Sequence, residues 1–346
     1  MWSRLADLPL AVEDYSLERL ERPPAFGHDR GTDLVRLRGG GEEGLGEDIT
    51  TYLPEGTAAP RLELAGEWTL GSFCEHLAAI EQWTEPPEWD LARAWRNWGY
   101  ESAALDLALR QAGQALHEVL GLAPAPVRFV NSFGLGDPPQ FATLRRRLDR
   151  YPDLRFKLDA EPTWDRALLE EIAATGAVDT IDFKGRYGLE VKDPDALVPL
   201  YERVVEIFPD ATLEDPHDEP GVAEVIGPHR DRVSYDAPIR SADDIGDGRV
   251  VNVKPSRIGS LRALLDVYAA CRERGVRMYG GGMGELGVAR GQIELLASLF
   301  HPDAPNDVAP TPYNDEELPD GLPSSPLEPE PEAKGFRWTA APAAPA

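Results

Sequence analysis

The chain has 346 residues, of which 61 are acidic and 35 are lysine or arginine, and its formal net charge at pH 7 is −26. This charge argues against nucleic acids and anionic membrane surfaces as partners, because both would repel the protein. Apolar residues make up 42% of the chain, enough for a large core. The length suits one barrel of about 250 residues with a smaller second domain.

Cysteine content and the N-terminus bear on the compartment. Cys74 and Cys271 are the only cysteines and lie far apart in the sequence, so we expect no disulfide framework. The first residues lack the apolar core of a signal peptide, and no segment approaches the roughly 18 apolar residues of a membrane span. We therefore expect a cytoplasmic protein.

Residues 1–124 have the pattern of a mixed α+β domain. Residues 33–38 alternate like a strand, a glycine-rich turn follows at 39–41, and residues 44–50 resemble a returning strand. Residues 71–122 then become helical, with apolar spacing over 101–120 and Gly121 as a candidate C-cap.

From residue 125 onward, strand-like and helical segments alternate. Such alternation predicts parallel strands joined by crossover helices, and seven units favour a barrel over an open sheet. We therefore predict a barrel domain over 125–315 and a Pro-, Ala- and Glu-rich tail over 316–346, whose apolar residues 335–338 return as a strand. The predicted strands are 127–133, 154–158, 178–183, 211–214, 232–236, 250–254 and 276–279, and the clearest predicted helices are 165–175, 196–208, 259–274 and 286–300.

Three consecutive predicted strands end in an acidic residue, namely Asp182, Glu214 and Asp236. Their separations of 32 and 22 residues each correspond to about one helix-plus-strand unit, so the acids should stand side by side at the barrel mouth. Three converging carboxylates repel each other unless a hard cation lies between them, and Mg²⁺ suits such all-oxygen ligands. The alternative is that each acid caps the helix that follows it.

Two lysines follow from the same strand pattern. Lys254 ends the buried-type strand 250–254, and Lys157 lies on the second predicted strand with Arg155 on the same face. A lysine on each side of a metal-bound carboxylate substrate can remove or return an α-proton. The alternatives are that Lys254 reaches solvent from a strand end and that Lys157 extends along the surface to solvent.

These motifs together resemble the enolase superfamily, in its muconate-lactonizing and mandelate-racemase-like branch. The resemblance spans nearly the whole chain and implies an α/β fold, a modified (β/α)7β TIM-type barrel with an α+β capping domain formed by the N-terminal region and the C-terminal tail. It also implies an essential Mg²⁺ and reactions that begin with abstraction of a proton α to a carboxylate. The segments that carry it are 44–47, 102–109, 253–259, 281–287 and 306–310, of which Val253-Lys254-Pro255-Ser256-Arg257-Ile258-Gly259 is the most specific.

Carried over residue by residue, the resemblance assigns roles to six side chains, and the loop sequence adds Glu285 as a seventh candidate. Arg155 stands where the family has the first lysine of its Lys-x-Lys pair, and an arginine suits orientation of a substrate carboxylate better than proton transfer. Glu285 follows the glycine-rich loop and is a candidate for substrate contact or helix capping. The metal ligands are Asp182, Glu214 and Asp236, and the acid/base residues are Lys157 and Lys254.

Two further features depart from the family pattern. Lys184 occupies a position where the family has asparagine, and its ammonium is expected on the same side as Asp182, where it can pair with a ligand or compete with the metal. The segment Asp159-Ala160-Glu161 resembles the third-strand motif locally, so Asp159 is an alternative to Asp182. Strand spacing favours Asp182.

The leading functional hypothesis is a racemase or epimerase of an amino-acid-like, dipeptide or N-acyl amino acid substrate, acting through an enediolate. A syn-elimination lyase such as an o-succinylbenzoate synthase uses the same pair of lysines. A non-catalytic carboxylate-binding descendant is the alternative from another class. We expect a small carboxylate substrate and a homo-oligomer.

Overall fold

The computed structural model of the protein describes residues 1–25, 28–50, 59–191 and 193–338, with side chains except those of residues 22–25 and 28–30. The N-terminal region combines a three-stranded antiparallel sheet, a two-stranded antiparallel sheet and three helices. The strands are β1 (Pro9–Val12), β2 (Asp14–Ala25), β3 (His28–Gly39), β4 (Glu42–Asp48) and β5 (Gly66–Thr69), and the helices are α1 (Leu70–Ala79), α2 (Leu91–Gln111) and α3 (Leu116–Leu120).

The predicted helix over 101–120 is two helices in the structure. Helix α2 ends at Gln111 and α3 begins at Leu116, because the turn between them places Gly113 at a φ of 65°. Glycine adopts this left-handed conformation without the steric cost that other residues meet.

Strand β4 packs unusually closely against α2. A Cβ at Gly44 would lie 2.2 Å from the Ala103 carbonyl oxygen, and one at Gly46 would lie 2.0 Å from the Gly99 oxygen. The two glycines of the Gly-Leu-Gly-Glu motif are therefore required for packing, and they bring Glu47 to the edge of the barrel.

The barrel consists of seven parallel strands in sequence order, which confirms the predicted α/β barrel class. A short segment closes it, since Asn306 pairs with Phe129 and Asp307 pairs with Gly281 in parallel bridges. The strands are β6 (Asn131–Gly134), β7 (Phe156–Asp159), β8 (Val178–Asp182), β9 (Thr212–Glu214), β10 (Val233–Tyr235), β11 (Val250–Val253) and β12 (Arg277–Gly280).

Helices follow most of these strands on the outside of the barrel. The helices α4, α7 and α8 were not among the clearest predicted ones, whereas α5, α6, α9 and α10 match predicted helices to within a few residues. They are α4 (Phe141–Arg150), α5 (Arg166–Ala173), α6 (Pro194–Ile207), α7 (Pro220–Ile226), α8 (Pro255–Ile258), α9 (Leu261–Arg274) and α10 (Val288–Phe300). None of the helices in the described part of the chain combines the length and apolarity needed to cross a bilayer.

Buried acids join the N-terminal region to the barrel and to the tail. The Glu47 carboxylate accepts hydrogen bonds from the amides of Leu286, Gly287 and Ala289, at the start of α10. A carboxylate is favoured there because the helix N-terminus presents free N–H groups and a partial positive charge.

The tail is held in a similar way. Asp106 of α2 accepts hydrogen bonds from the amides of Leu45 and Phe336 and from the Arg337 guanidinium. Phe336 is buried against Trp98, with ring centroids 6.3 Å apart. The segment around 335–338 therefore packs on the N-terminal region, through an isolated bridge of Gly335 with Ala115.

Glu101 forms a third link of this kind. Its carboxylate accepts hydrogen bonds from the Leu261 amide at 2.6 Å and from Asn97 at 2.8 Å. Burial raises the pKa of Glu101 to about 7, although these hydrogen bonds oppose the shift. The ionised form of Glu101 therefore costs stability near neutral pH.

We predict that Glu101→Gln changes the pH dependence of unfolding. Because the pKa of Glu101 is raised on folding, its favourable contribution is complete below pH 4.5 and is lost as the pH rises through about 7. The free energy of unfolding of the wild type, relative to the variant, should fall by roughly 3 kcal/mol over this interval. Urea denaturation at several pH values measures it, and a constant difference between the two proteins would contradict the prediction.

Candidate functional site

Three acids lie side by side where strands of the barrel end. Asp182 ends β8 and Glu214 ends β9, and the two are paired in register. Asp236 follows β10, two residues beyond Ser234, which pairs with Glu214. All three side chains are fully buried. Parallel strands thus bring acids from distant parts of the sequence to one end of the barrel, as the strand spacing predicted.

Lys157 approaches these acids from β7. Its Nζ lies 2.5 Å from Glu214 Oε1, 3.1 Å from Asp182 Oδ2 and 4.0 Å from Asp307 Oδ2. Burial alone would lower the pKa of Lys157, but the surrounding carboxylates raise it well above the ordinary value. The surrounding carboxylates therefore favour the ammonium form of Lys157 in this arrangement.

Lys254 approaches from the other side of the three acids. It follows β11 directly, and its Nζ lies 2.8 Å from Asp236 Oδ2. Arg257, one turn further along, pairs with the second oxygen of Asp236. The Tyr187 hydroxyl also donates to Asp236 Oδ2 at 2.7 Å and accepts from Arg257 at 2.8 Å. Burial raises the pKa of Asp236, but Arg257, Lys254 and Lys157 outweigh this effect and hold that pKa well below its usual range.

Lys184 makes a third lysine contact with the acids. Its Nζ pairs with Asp182 Oδ2 and lies 3.2 Å from Asp159 Oδ1, and its backbone amide donates to Asp182 Oδ1 at 3.0 Å. Burial raises the pKa of Asp182, but Lys157 and Lys184 overcome it and bring that pKa to about 2. Asp159 ends the second barrel strand and Asp182 the third, in agreement with the strand assignment made from spacing.

A second layer of polar groups holds the acids in place. The Tyr279 hydroxyl donates to Glu214 Oε2 and also contacts Ser234 Oγ at 2.9 Å. The Asp215 carboxylate accepts hydrogen bonds from the amides of Asp236 and Ala237, each at 2.8 Å. The backbone of Asp215 itself has a φ of 45°, in the left-handed region. Such a conformation is costly for a residue other than glycine and persists only where its surroundings fix it.

Comparison with known proteins gives two matching family models. Residues 123–315 match the C-terminal domain, and residues 3–119 the N-terminal domain, of a domain of unknown function (DUF8230). The N-succinylamino acid racemase of Thermus thermophilus is 30% identical over 297 residues, which cover 80% of this chain and 77% of that protein. The o-succinylbenzoate synthase of Bacillus subtilis is 26% identical over 234 residues, or 64% of this chain and 61% of that protein.

Solved structures share the fold. An unknown member of the enolase superfamily from Enterococcus faecalis superposes with a TM-score of 0.62, at 20% identity, over 86% of both chains. A dipeptide epimerase from Methylococcus capsulatus, solved with Mg and the dipeptide L-Arg-D-Lys, gives a TM-score of 0.65 at 19% identity, over 86% of this chain and 90% of that one. The chain belongs to the enolase superfamily. Its relatives are isomerases and lyases, and it is an enzyme of one of these two classes.

Two of the candidate site residues, Arg155 and Glu285, do not reach the acids of this superfamily member. Arg155 lies just before β7 begins and pairs with Asp179 and the Gly176 carbonyl, at the amino-terminal ends of the strands. Strand alternation does not extend reliably to Arg155, because β7 starts only at Phe156 and its register with β8 shifts between Phe156 and Lys157. The geometry gives no support to Arg155 as a substrate contact.

Glu285 is buried in the loop after β12. Its carboxylate accepts from the Ser256 hydroxyl at 2.8 Å and from the amides of Met283 and Gly284 at 2.6 and 3.1 Å. These bonds fold the glycine-rich loop onto the segment that follows Lys254. Glu285 therefore stabilises the loop, and the structure does not bring it to the three acids.

Sequence reasoning gave no role to four residues of the site, namely Arg257, Tyr187, Tyr279 and Asp307. The scarcity of lysine was a sequence signal for the cations of the site, because the chain has only five lysines among its 35 lysine and arginine residues. Three of the five, Lys157, Lys184 and Lys254, meet at the site, whereas Lys334 pairs with Glu42 elsewhere and Lys192 lies outside the described residues. A chain that uses arginine for most cations thus keeps lysine where an ammonium contacts the acids.

The three acids fit a divalent cation by chemistry but not by present orientation. They provide the all-oxygen donor set that Mg²⁺ prefers. Each carboxylate, however, points at a lysine or arginine, and no group of three Asp, Glu, His or Cys side chains in the described ranges is already arranged to hold a metal ion. Metal binding here requires ammonium groups to leave the carboxylates.

We predict that Lys157→Met strongly destabilises the protein in the presence of a chelator. The substitution keeps much of the side-chain volume but leaves Glu214 without its lysine partner and Asp182 with Lys184 alone, and breaking a buried ion pair costs about 3–5 kcal/mol. Lys334→Met is the matched control, because its exposed ion pair contributes at most about 1 kcal/mol. Urea unfolding measures both, and a loss below about 1 kcal/mol for Lys157→Met would show that the buried acids do not depend on the Lys157 ammonium.

Proposed function

We propose that the protein is a Mg²⁺-dependent racemase or epimerase that removes and returns the proton α to a carboxylate, through an enediolate. The substrate class is an amino-acid-like molecule, a dipeptide or an N-acyl amino acid. The observation that carries the proposal is the placement of Lys157 and Lys254 on opposite sides of Asp182, Glu214 and Asp236.

The proposed metal ligands are Asp182, Glu214 and Asp236. A divalent cation bound by them would neutralise the acids and the negative charge that develops on the substrate carboxylate. The two lysines contact the acids from β7 and from the end of β11, with three strands between them. A substrate held over the acids would therefore present one face to each lysine.

Proton transfer requires one lysine in its neutral form and the other as an ammonium. The carboxylates of Glu214 and Asp182 keep Lys157 protonated as long as they contact it. When these carboxylates are engaged elsewhere, the pKa of Lys157 falls because burial then dominates, and the amine becomes a competent base. Lys254 on the other face then supplies the proton, and the roles reverse for the opposite enantiomer.

The relatives support this substrate class. One is named as a racemase of N-succinylamino acids, and dipeptide epimerases share the fold.

The second candidate is syn-elimination, favoured by the similarity to an o-succinylbenzoate synthase. That reaction would use the same two lysines in different acid and base roles.

Isotope exchange tests the proposed chemistry. In D₂O with Mg²⁺, the wild type should exchange the α-proton of at least one substrate from a panel of N-succinylamino acids and dipeptides, followed by NMR, and EDTA should abolish the exchange. Loss of water from a hydroxy-acid substrate, seen by mass spectrometry, would instead support the elimination. The proposal fails if no member of the panel exchanges while Mg²⁺ binding is intact.

Single-lysine variants test the two-face arrangement. Lys157→Ala and Lys254→Ala should each retain exchange with one enantiomer and lose it with the other by about 100-fold or more, since a positioned acid or base contributes this much. Racemisation should be lost in both variants, and Lys334→Ala should behave as the wild type. If either lysine variant still exchanges both enantiomers at wild-type rates, the two-base mechanism is wrong.

A further inference from the structure

Lys184 is held in an unusual backbone conformation beside the proposed metal ligands. Its φ is 54°, in the left-handed region that residues other than glycine rarely adopt. Strand β8 ends at Asp182, so strand alternation does not aim this side chain. The left-handed turn does so instead, and it directs both the amide and the ammonium of Lys184 at the Asp182 carboxylate.

The neighbours on both sides of Lys184 fix this turn. Phe183 is buried and stacks on Tyr201, with ring centroids 4.0 Å apart. Gly185 donates its amide to the Asp215 carbonyl at 2.8 Å, and a Cβ at Gly185 would lie 2.3 Å from the His217 backbone nitrogen. Strained residues of this kind persist when the surrounding structure over-determines them, and they are concentrated at functional sites.

The ammonium of Lys184 is shared between two unlike carboxylates. Asp182 is fully buried and belongs to the proposed metal ligands, whereas Asp159 is 32% exposed and lies outside that set. The two acids are paired in register at the ends of β7 and β8. Within the described part of the chain, Lys184 is the cation that pairs with Asp159. Lys184 can therefore lose Asp182 and still keep an ionic partner.

We propose that Lys184 is an internal competitor for the divalent cation at Asp182, with Asp159 as the partner that retains it when the metal enters. This inference rests on the metal site of the proposed function and adds a residue that sets the affinity of that site. The competition is electrostatic, because the Lys184 ammonium and the metal neutralise the same carboxylate. Lys157 contacts Asp182 and Glu214 as well, but it is buried, and its next acidic neighbour, Asp307, lies 4.0 Å away, compared with 3.2 Å between Lys184 and Asp159.

Metal titration of the free enzyme tests the proposal without any substrate. The chelator-treated protein is titrated with Mn²⁺, and free Mn²⁺ is followed by electron paramagnetic resonance. Lys184→Met should bind Mn²⁺ about 10- to 100-fold more tightly than the wild type, the range over which groups around metal ligands change affinity. Lys334→Met is the control and should bind as the wild type does.

Asp159 supplies the second variant. Asp159→Asn removes the alternative partner of Lys184, which makes displacement from Asp182 harder, so Mn²⁺ should bind several-fold more weakly than to the wild type. In the double variant with Lys184→Met this effect should disappear, because two residues that act through one contact are not additive. A general structural defect at Asp159 would instead weaken binding in both backgrounds.

The possible outcomes separate the two proposals. Equal or weaker Mn²⁺ binding by Lys184→Met would overturn the competitor role and leave the proposed metal site intact. If neither the wild type nor Lys184→Met binds Mn²⁺, the metal site and the competitor role both fail. Tighter binding by Lys184→Met, together with loss of the Asp159→Asn effect in the double variant, supports both.

Discussion

Three carboxylates buried at the end of one barrel are the constraint on which the site depends. Removing such charges from water is costly unless each is paired and hydrogen-bonded. The protein meets this constraint with its own cations, Lys157 and Lys184 on one side and Lys254 and Arg257 on the other. In the proposed mechanism, Lys157 and Lys254, which help to keep the acids stable, are also the groups that transfer the proton. Stability and chemistry would then compete for the same contacts, and a bound metal ion would release the lysines from the acids.

The N-terminal region solves a similar problem with backbone groups. Glu47 and Glu101 are buried acids that accept from amides at the starts of α10 and α9, and Asp106 accepts from the amides of β4 and the tail. Each of these acids joins segments that are distant in sequence. With a net charge of −26, the chain thus uses buried acids both to assemble its parts and to form its site, and it reserves three of its five lysines for the latter.

The sequence was sufficient to predict the elements that place the acids, because each barrel strand is short, apolar and separated from the next by a helix. The regular spacing of strands and helices located Asp182, Glu214 and Asp236, and counting the strands favoured Asp182 over Asp159. The pattern did not place Arg155, since alternation holds only within a strand and β7 begins one residue later. Contacts between loops, such as Tyr187 with Asp236, and across the barrel, such as Tyr279 with Glu214, depend on loop conformation and barrel curvature, which periodicity does not encode.

The central claim is that Asp182, Glu214 and Asp236 together form a divalent metal site. Anomalous diffraction from crystals grown with Mn²⁺ tests it most directly, because it locates the ion independently of any activity. The account predicts one strong peak within coordination distance of all three carboxylates, with Lys184 Nζ turned from Asp182 to Asp159. A peak that Asp159 ligates in place of Asp182, or none near the three acids at saturating Mn²⁺, would contradict it.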